Sequence, residues 1–111
     1  MTYKYPDAVL MIFCKAPVTG QVKTRLTTEL TAEQAMQVHI ELTQRTLQLA
    51  TMTNLCPVQL WCTPSTEHAF FRASARTYHA ILQQQQGADL GERMNNAFFL
   101  ALDRYSSAVL I

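Results

Sequence analysis

Apolar and polar residues fall in blocks along this chain, and the period within each block predicts an element. Ala8 to Cys14 is an uninterrupted apolar run, as expected of a strand covered on both faces. From Thr31 to Met52 the pattern turns helical. Thr31 is placed to cap this helix, Ala35, Val38, Leu42 and Leu49 recur as a core-facing stripe, and Asn54 and Pro57 end it. Val58 to Cys62 predicts a second strand, closed by Thr63-Pro64-Ser65, and Glu67 to Ala75 a short amphipathic helix carrying Phe70 and Phe71. A third strand is expected over Ala80 to Gln84, stopped by Gly87. A helix from Leu90 to Tyr105 with Ala97, Phe98 and Ala101 inside, and a fourth strand over Ala108 to Ile111, complete the chain. Strands alternating with helices predict an α/β fold with a parallel sheet.

With 111 residues, 49% hydrophobic and 15% charged, the chain suits one compact domain, 1–111, and not a disordered tail. A formal net charge of +1 argues against nucleic acid as a partner, because backbone binding requires a basic face. The polar N-terminus and the short apolar runs give neither a signal peptide nor the roughly 18 consecutive apolar residues of a spanning helix, so a cytoplasmic location is expected. Cys14, Cys56 and Cys62 are odd in number and lie in or beside apolar strands without a C-x-x-C pair, which predicts buried free thiols and no metal site. His39 sits beside the apolar stripe of the long helix and reads as a packed histidine. His68 and His79 are isolated, and Trp61 reads as core or sheet surface.

The loop after the first strand is chemically the most distinctive segment. Lys15-Ala16-Pro17-Val18-Thr19-Gly20-Gln21-Val22-Lys23-Thr24-Arg25-Leu26 carries three cations and no acid before Glu29. Ligands of parallel α/β sheets gather at the carboxyl ends of the strands, so cations here suit phosphate. A solvated surface loop is the competing interpretation. Further on, Asp89 and Glu92 have the spacing of a capping box at the start of a helix.

Phe13 to Pro17, Gly20 to Leu26 and Gln86-Gly87-Ala88-Asp89-Leu90-Gly91-Glu92-Arg93-Met94 resemble the signatures of a bacterial family of nucleotide-diphospho-sugar transferases with the glycosyltransferase-A fold. Some of its members are assigned as glycosyltransferases of arsenosugar biosynthesis. The loop is also similar to that of 2-phospholactate guanylyltransferases, which transfer a nucleotidyl group.

The resemblance implies a Rossmann-like three-layer sandwich with strand order 3-2-1-4 and a nucleotide-sugar in the crevice between strands 1 and 4. It implies a phosphate-binding role for Lys15, Gly20, Lys23 and Arg25, and a donor-site loop of Gly87, Asp89 and Arg93. Asp89 is as well explained by capping, and Arg93 by pairing with Glu92 or Asp89. A divalent cation, magnesium or manganese, is also implied, held by an aspartate in a Gly-x-Asp-x-Pro segment that would follow Ile111. On this comparison the 111 residues correspond to the N-terminal part of a truncated glycosyltransferase-A fold, incomplete for catalysis, with a nucleotidyltransferase or a non-catalytic binding half-domain as alternatives. An uncovered fourth strand would invite self-association.

Overall fold

The computed structural model describes residues 2–23, 25 and 29–111. It contains β1 (Ala8–Lys15), α1 (Ala32–Thr51), β2 (Val58–Thr63), α2 (Ala69–Tyr78), β3 (Ile81–Gln84), α3 (Leu90–Arg104) and β4 (Ser107–Leu110). The four strands form one parallel sheet, as the alternation of strands and helices predicts, in the order β3-β2-β1-β4 that the resemblance implies. β1 is central: Leu10 stands opposite Val58 and Cys14 opposite Cys62 on one side, and Val9 opposite Ala108 and Met11 opposite Leu110 on the other.

The apolar run of β1 is buried on both faces because helices cover both. Ile12 and Cys14 join Val58, Leu60 and Cys62 of β2, Leu47 of α1 and Phe71 of α2 in one core. Val9 and Met11 join Trp61, Ala97 and Ala101 in a second core beneath α3. The result is a helix–sheet–helix sandwich whose strand-to-helix loops leave at one end. Polar bonds tie the short β3 to β2. The backbone N–H of Gln85, just after β3, donates to the Cys62 carbonyl at 2.9 Å, and its side-chain Nε2 to the Trp61 carbonyl at 2.9 Å; within β2 the Trp61 indole N–H donates to Gln59 Oε1 at 3.0 Å.

Two expectations need correction. The buried row of α1 is Ala35, His39, Thr43 and Leu47, whereas Leu42 and Leu49 are 49% and 64% exposed. Small and hydrogen-bonding residues take the inner row because it lies against the exit of β1. The longer aliphatics form a second stripe one step round the helix. α2 also begins later than Glu67, at Ala69, because the His68 ring caps it: Nδ1 accepts the Phe70 N–H at 3.0 Å. It runs on to Tyr78, where His79 turns left-handed at φ 57°. By contrast, the Thr31 cap forms as the sequence suggests, with its hydroxyl accepting the Gln34 N–H and Gln34 Oε1 accepting that of Thr31.

Candidate functional site

The loop leaving β1 is not a free excursion. The Ala16 N–H donates to the Thr63 carbonyl at 2.8 Å, a bond that carries the β1–β2 pairing one residue past the strand. Ala16 and Val22 are buried, at 4% and 3% exposure, and anchor the two ends of a turn whose Gly20 has φ +81°. Thr19 Oγ1 donates to Met36 Sδ at 3.3 Å and so fastens the turn to α1. Lys15, just before the first anchor, and Lys23 and Arg25, just after the second, stay exposed. Thr24 and Leu26 of the same motif lie outside the described residues.

Lys23 has φ +51°, a left-handed conformation that costs a β-carbon-bearing residue about 1–2 kcal/mol. Such backbone strain persists where the surrounding structure imposes it, commonly at ligand sites. Lys23 lines a cleft of about 200 Å³ together with Ile12, Phe13, His39, Thr43 and Ile111. This cleft lies at the carboxyl ends of β1 and β4, the point at which the strand order reverses.

His39 is the residue that sequence reasoning undervalued. It is packed as expected, but its Nε2 lies 2.7 Å from the Lys15 carbonyl oxygen, which assigns the ring proton to Nε2. Burial lowers the His39 pKa and the nearby Lys23 and Lys15 charges lower it further, against the opposing effect of the Lys15 bond, so the neutral imidazole is favoured. Cys14 Sγ lies 3.7 Å from both His39 Nε2 and Thr43 Oγ1, and Thr43 Oγ1 donates to the His39 carbonyl at 2.9 Å. The i, i+4 relation of His39 to Ala35 and Thr43, on a helix passing the exit of β1, was the signal available in the sequence.

All three cysteines are free. Burial raises the Cys14 thiol pKa and, with the neighbouring Cys14, pushes that of Cys62 to about 12. The folded state therefore keeps the Cys62 proton where an unfolded chain loses it, so this contribution to stability is present below pH 9.0 and is lost as pH rises towards about 12. At pH 8 iodoacetamide should label half-buried Cys56 first, and Cys14 and Cys62 only on unfolding. Peptide mass spectrometry with and without denaturant checks this; early labelling of Cys62 would contradict it.

The second predicted segment is held by α3. Asp89 caps the helix, its Oδ1 accepting the Glu92 N–H at 2.8 Å, while Glu92 Oε2 accepts from Ala88 N at 3.1 Å. Arg93 pairs with neither acid: its Nε donates to the Gly87 carbonyl at 3.0 Å, and Asn96 Nδ2 donates to that of Gln86 at 2.7 Å. Gly87, Asp89 and Arg93 thus form a fixed turn at the carboxyl end of β3. No hydrogen bond among the described residues joins it to the Lys15–Arg25 loop. The sole ion pair among those residues, Arg72 with Glu67 at 2.7 Å, lies on the exposed start of α2.

No group of three or more His, Cys, Asp or Glu among the described residues could hold a metal ion. A more enclosed hollow of about 110 Å³, lined by Tyr3, Asn54, Cys56 and Tyr78, lies near the other end of the strands and has no Lys or Arg in its wall. Among the described residues, no helix is long and apolar enough to cross a membrane.

No curated protein matches the sequence. Among solved structures, the chain is similar to a protein of Desulfovibrio desulfuricans G20 provisionally named a nucleotide-diphospho-sugar transferase, with 27% identity and a TM-score of 0.79. That likeness covers 96% of this chain and 46% of the other, so the chain spans about half its length. A family model described as uncharacterized protein conserved in bacteria, DUF2064, matches residues 46–111, from the last turns of α1 through β4. With more than half of its residues matched, and with this sheet order and overall likeness, the chain belongs to the DUF2064 family of bacterial proteins.

Proposed function

We propose that this chain binds the diphosphate of a nucleotide-diphospho-sugar at the carboxyl end of β1, as part of a glycosyltransferase. The observation that carries this reading is the placement of Lys23 and Arg25. Both are exposed just after the buried anchor Val22, and Lys23 lines the cleft where the strand order reverses. The structural neighbour's provisional name supports the same substrate class.

In this reading Lys23 supplies a point charge and Arg25 a planar fork to the phosphates. In sugar transfer the bond from the anomeric carbon to the diphosphate breaks and negative charge grows on the departing phosphate, so fixed cations stabilise the transition state more than the bound donor. Gly20 allows the turn, and Lys15 adds charge at the strand exit. The cleft is smaller than the roughly 300–1,000 Å³ of typical ligand pockets, so it suits phosphate groups, with base and sugar lying outside it. The turn of Gly87, Asp89 and Arg93 serves as a rim: the Arg93 Nε is used by Gly87, and its terminal nitrogens can meet the donor.

Titration with UDP, GDP and UDP-glucose tests the proposal. At about 100 times the Kd a bound ligand should stabilise the fold by about 2.7 kcal/mol. Lys23→Ala with Arg25→Ala should remove that stabilisation and leave the unliganded melting temperature nearly unchanged, since both side chains are exposed. Full binding by the double variant would overturn the assignment.

A further inference from the structure

We infer that His39 is a positioning residue for the cation loop, holding through the Lys15 carbonyl the turn that carries Lys23. The turn has three points of attachment: buried Ala16 and Val22, the Thr19–Met36 contact, and the His39–Lys15 bond. The last acts on the Lys15–Ala16 peptide, through which the chain leaves β1: its N–H is held by the Thr63 carbonyl at 2.8 Å, and its carbonyl by His39. The Lys15 N–H and carbonyl belong to a peptide chain entering a tight turn, and swinging that carbonyl away from α1 rotates every following residue. At 2.7 Å the bond is short for a nitrogen donor, and it comes from a buried side chain carried on a helix of 20 residues, hence from a stiff support. Thr43 and Cys14 crowd the same ring and restrict its rotation. His39 thus acts through the Lys15 carbonyl, on which its Nε2 proton is already engaged.

The imidazole Nε2 can be replaced in kind. The Gln side-chain amide reaches about as far from the backbone as His Nε2, the Asn amide stops short at the position of Nδ1, and Leu fills similar volume with no donor. His39→Gln should keep the loop, and His39→Asn and His39→Leu should release it. Two readouts distinguish this from general stability. Without ligand, amide exchange over residues 16–23 should quicken about tenfold in the Leu and Asn variants, with β2 and α3 unchanged, and return to within about threefold in Gln.

UDP binding, which rests on the proposed function, should weaken about tenfold in the same two variants and recover with Gln. If the Leu variant fails to fold, the Asn and Gln pair carries the comparison. Wild-type exchange in the loop of a folded Leu or Asn variant overturns the role of His39. A loop that loosens as expected in a protein that binds no UDP supports the role and overturns the nucleotide reading instead.

Discussion

Truncating Phe71 to alanine should cost about 3–5 kcal/mol of stability, the largest effect expected of any single change in this chain. Phe71 is fully buried and is the bulkiest of the completely enclosed side chains. It projects from α2 into the core formed by β1, β2 and α1, with the His68 ring edge-on at 6.1 Å and Phe70 tilted at 6.1 Å. The neighbouring Leu47, Leu60 and Cys62 come from elements on which the remaining sheet depends, so they cannot collapse into the void without disturbing β1–β2 pairing. A domain of this size has about 5–15 kcal/mol in all, and the variant should unfold at a far lower urea concentration with the same slope. A loss below about 1 kcal/mol would show that α2 is not docked as described.

Gly87→Ala should be the most damaging change outside the core. A β-carbon there would stand 2.8 Å from the Arg93 backbone nitrogen and 2.8 Å from Glu92 Cβ, in the first turn of α3. Helix backbone cannot give way as a flexible side chain would. The φ of +144° is moreover a region that only glycine occupies without strain, so a loss of about 1–3 kcal/mol is expected even before the clash is counted. Gly20 provides the contrast: at φ +81° alanine would be strained, but nothing lies within 4 Å, and its cost should be nearer 1 kcal/mol. Urea titrations of the two variants side by side measure the difference, and equal losses would mean that the turn before α3 adjusts freely.

The frame of this fold was legible because its signals are local and strong. The apolar block of β1, the Thr31 and Asp89 caps and the alternation of strand and helix all act within a few residues of one another. What escaped depends on distance along the chain. His39 was read as packed, but its bond to the Lys15 carbonyl was not legible, nor was the burial of Thr43, a polar residue that no hydrophobic count assigns to a core; both depend on Lys15 and Cys14, more than 20 residues away. His68 escaped as a cap because an imidazole seldom takes a place usually filled by Ser, Thr, Asp or Asn. Arg93 was given two acidic partners by proximity in sequence, yet its guanidinium turned to a backbone carbonyl that only the folded turn presents. The cation loop was recognisable from charge and glycine placement, but its buried anchors, Ala16 and Val22, looked like ordinary loop residues.

The bonds around Trp61 give the sheet an address system. β3 has four residues, and of the two aliphatic ones Ile81 is 45% exposed, so apolar packing alone distinguishes poorly between its alignment on β2 and one shifted along the strand. Gln85 removes the ambiguity. Its backbone and side chain together engage the carbonyls of both Cys62 and Trp61, a pair of acceptors met in this alignment and lost on slipping by one residue. A slipped strand would leave a buried carboxamide without a partner, at about 1–3 kcal/mol, and would turn its whole side-chain pattern over. Polarity in the interior thus supplies uniqueness where hydrophobicity supplies only adhesion, and the weakest strand of the sheet is the one whose position is spelled out most explicitly.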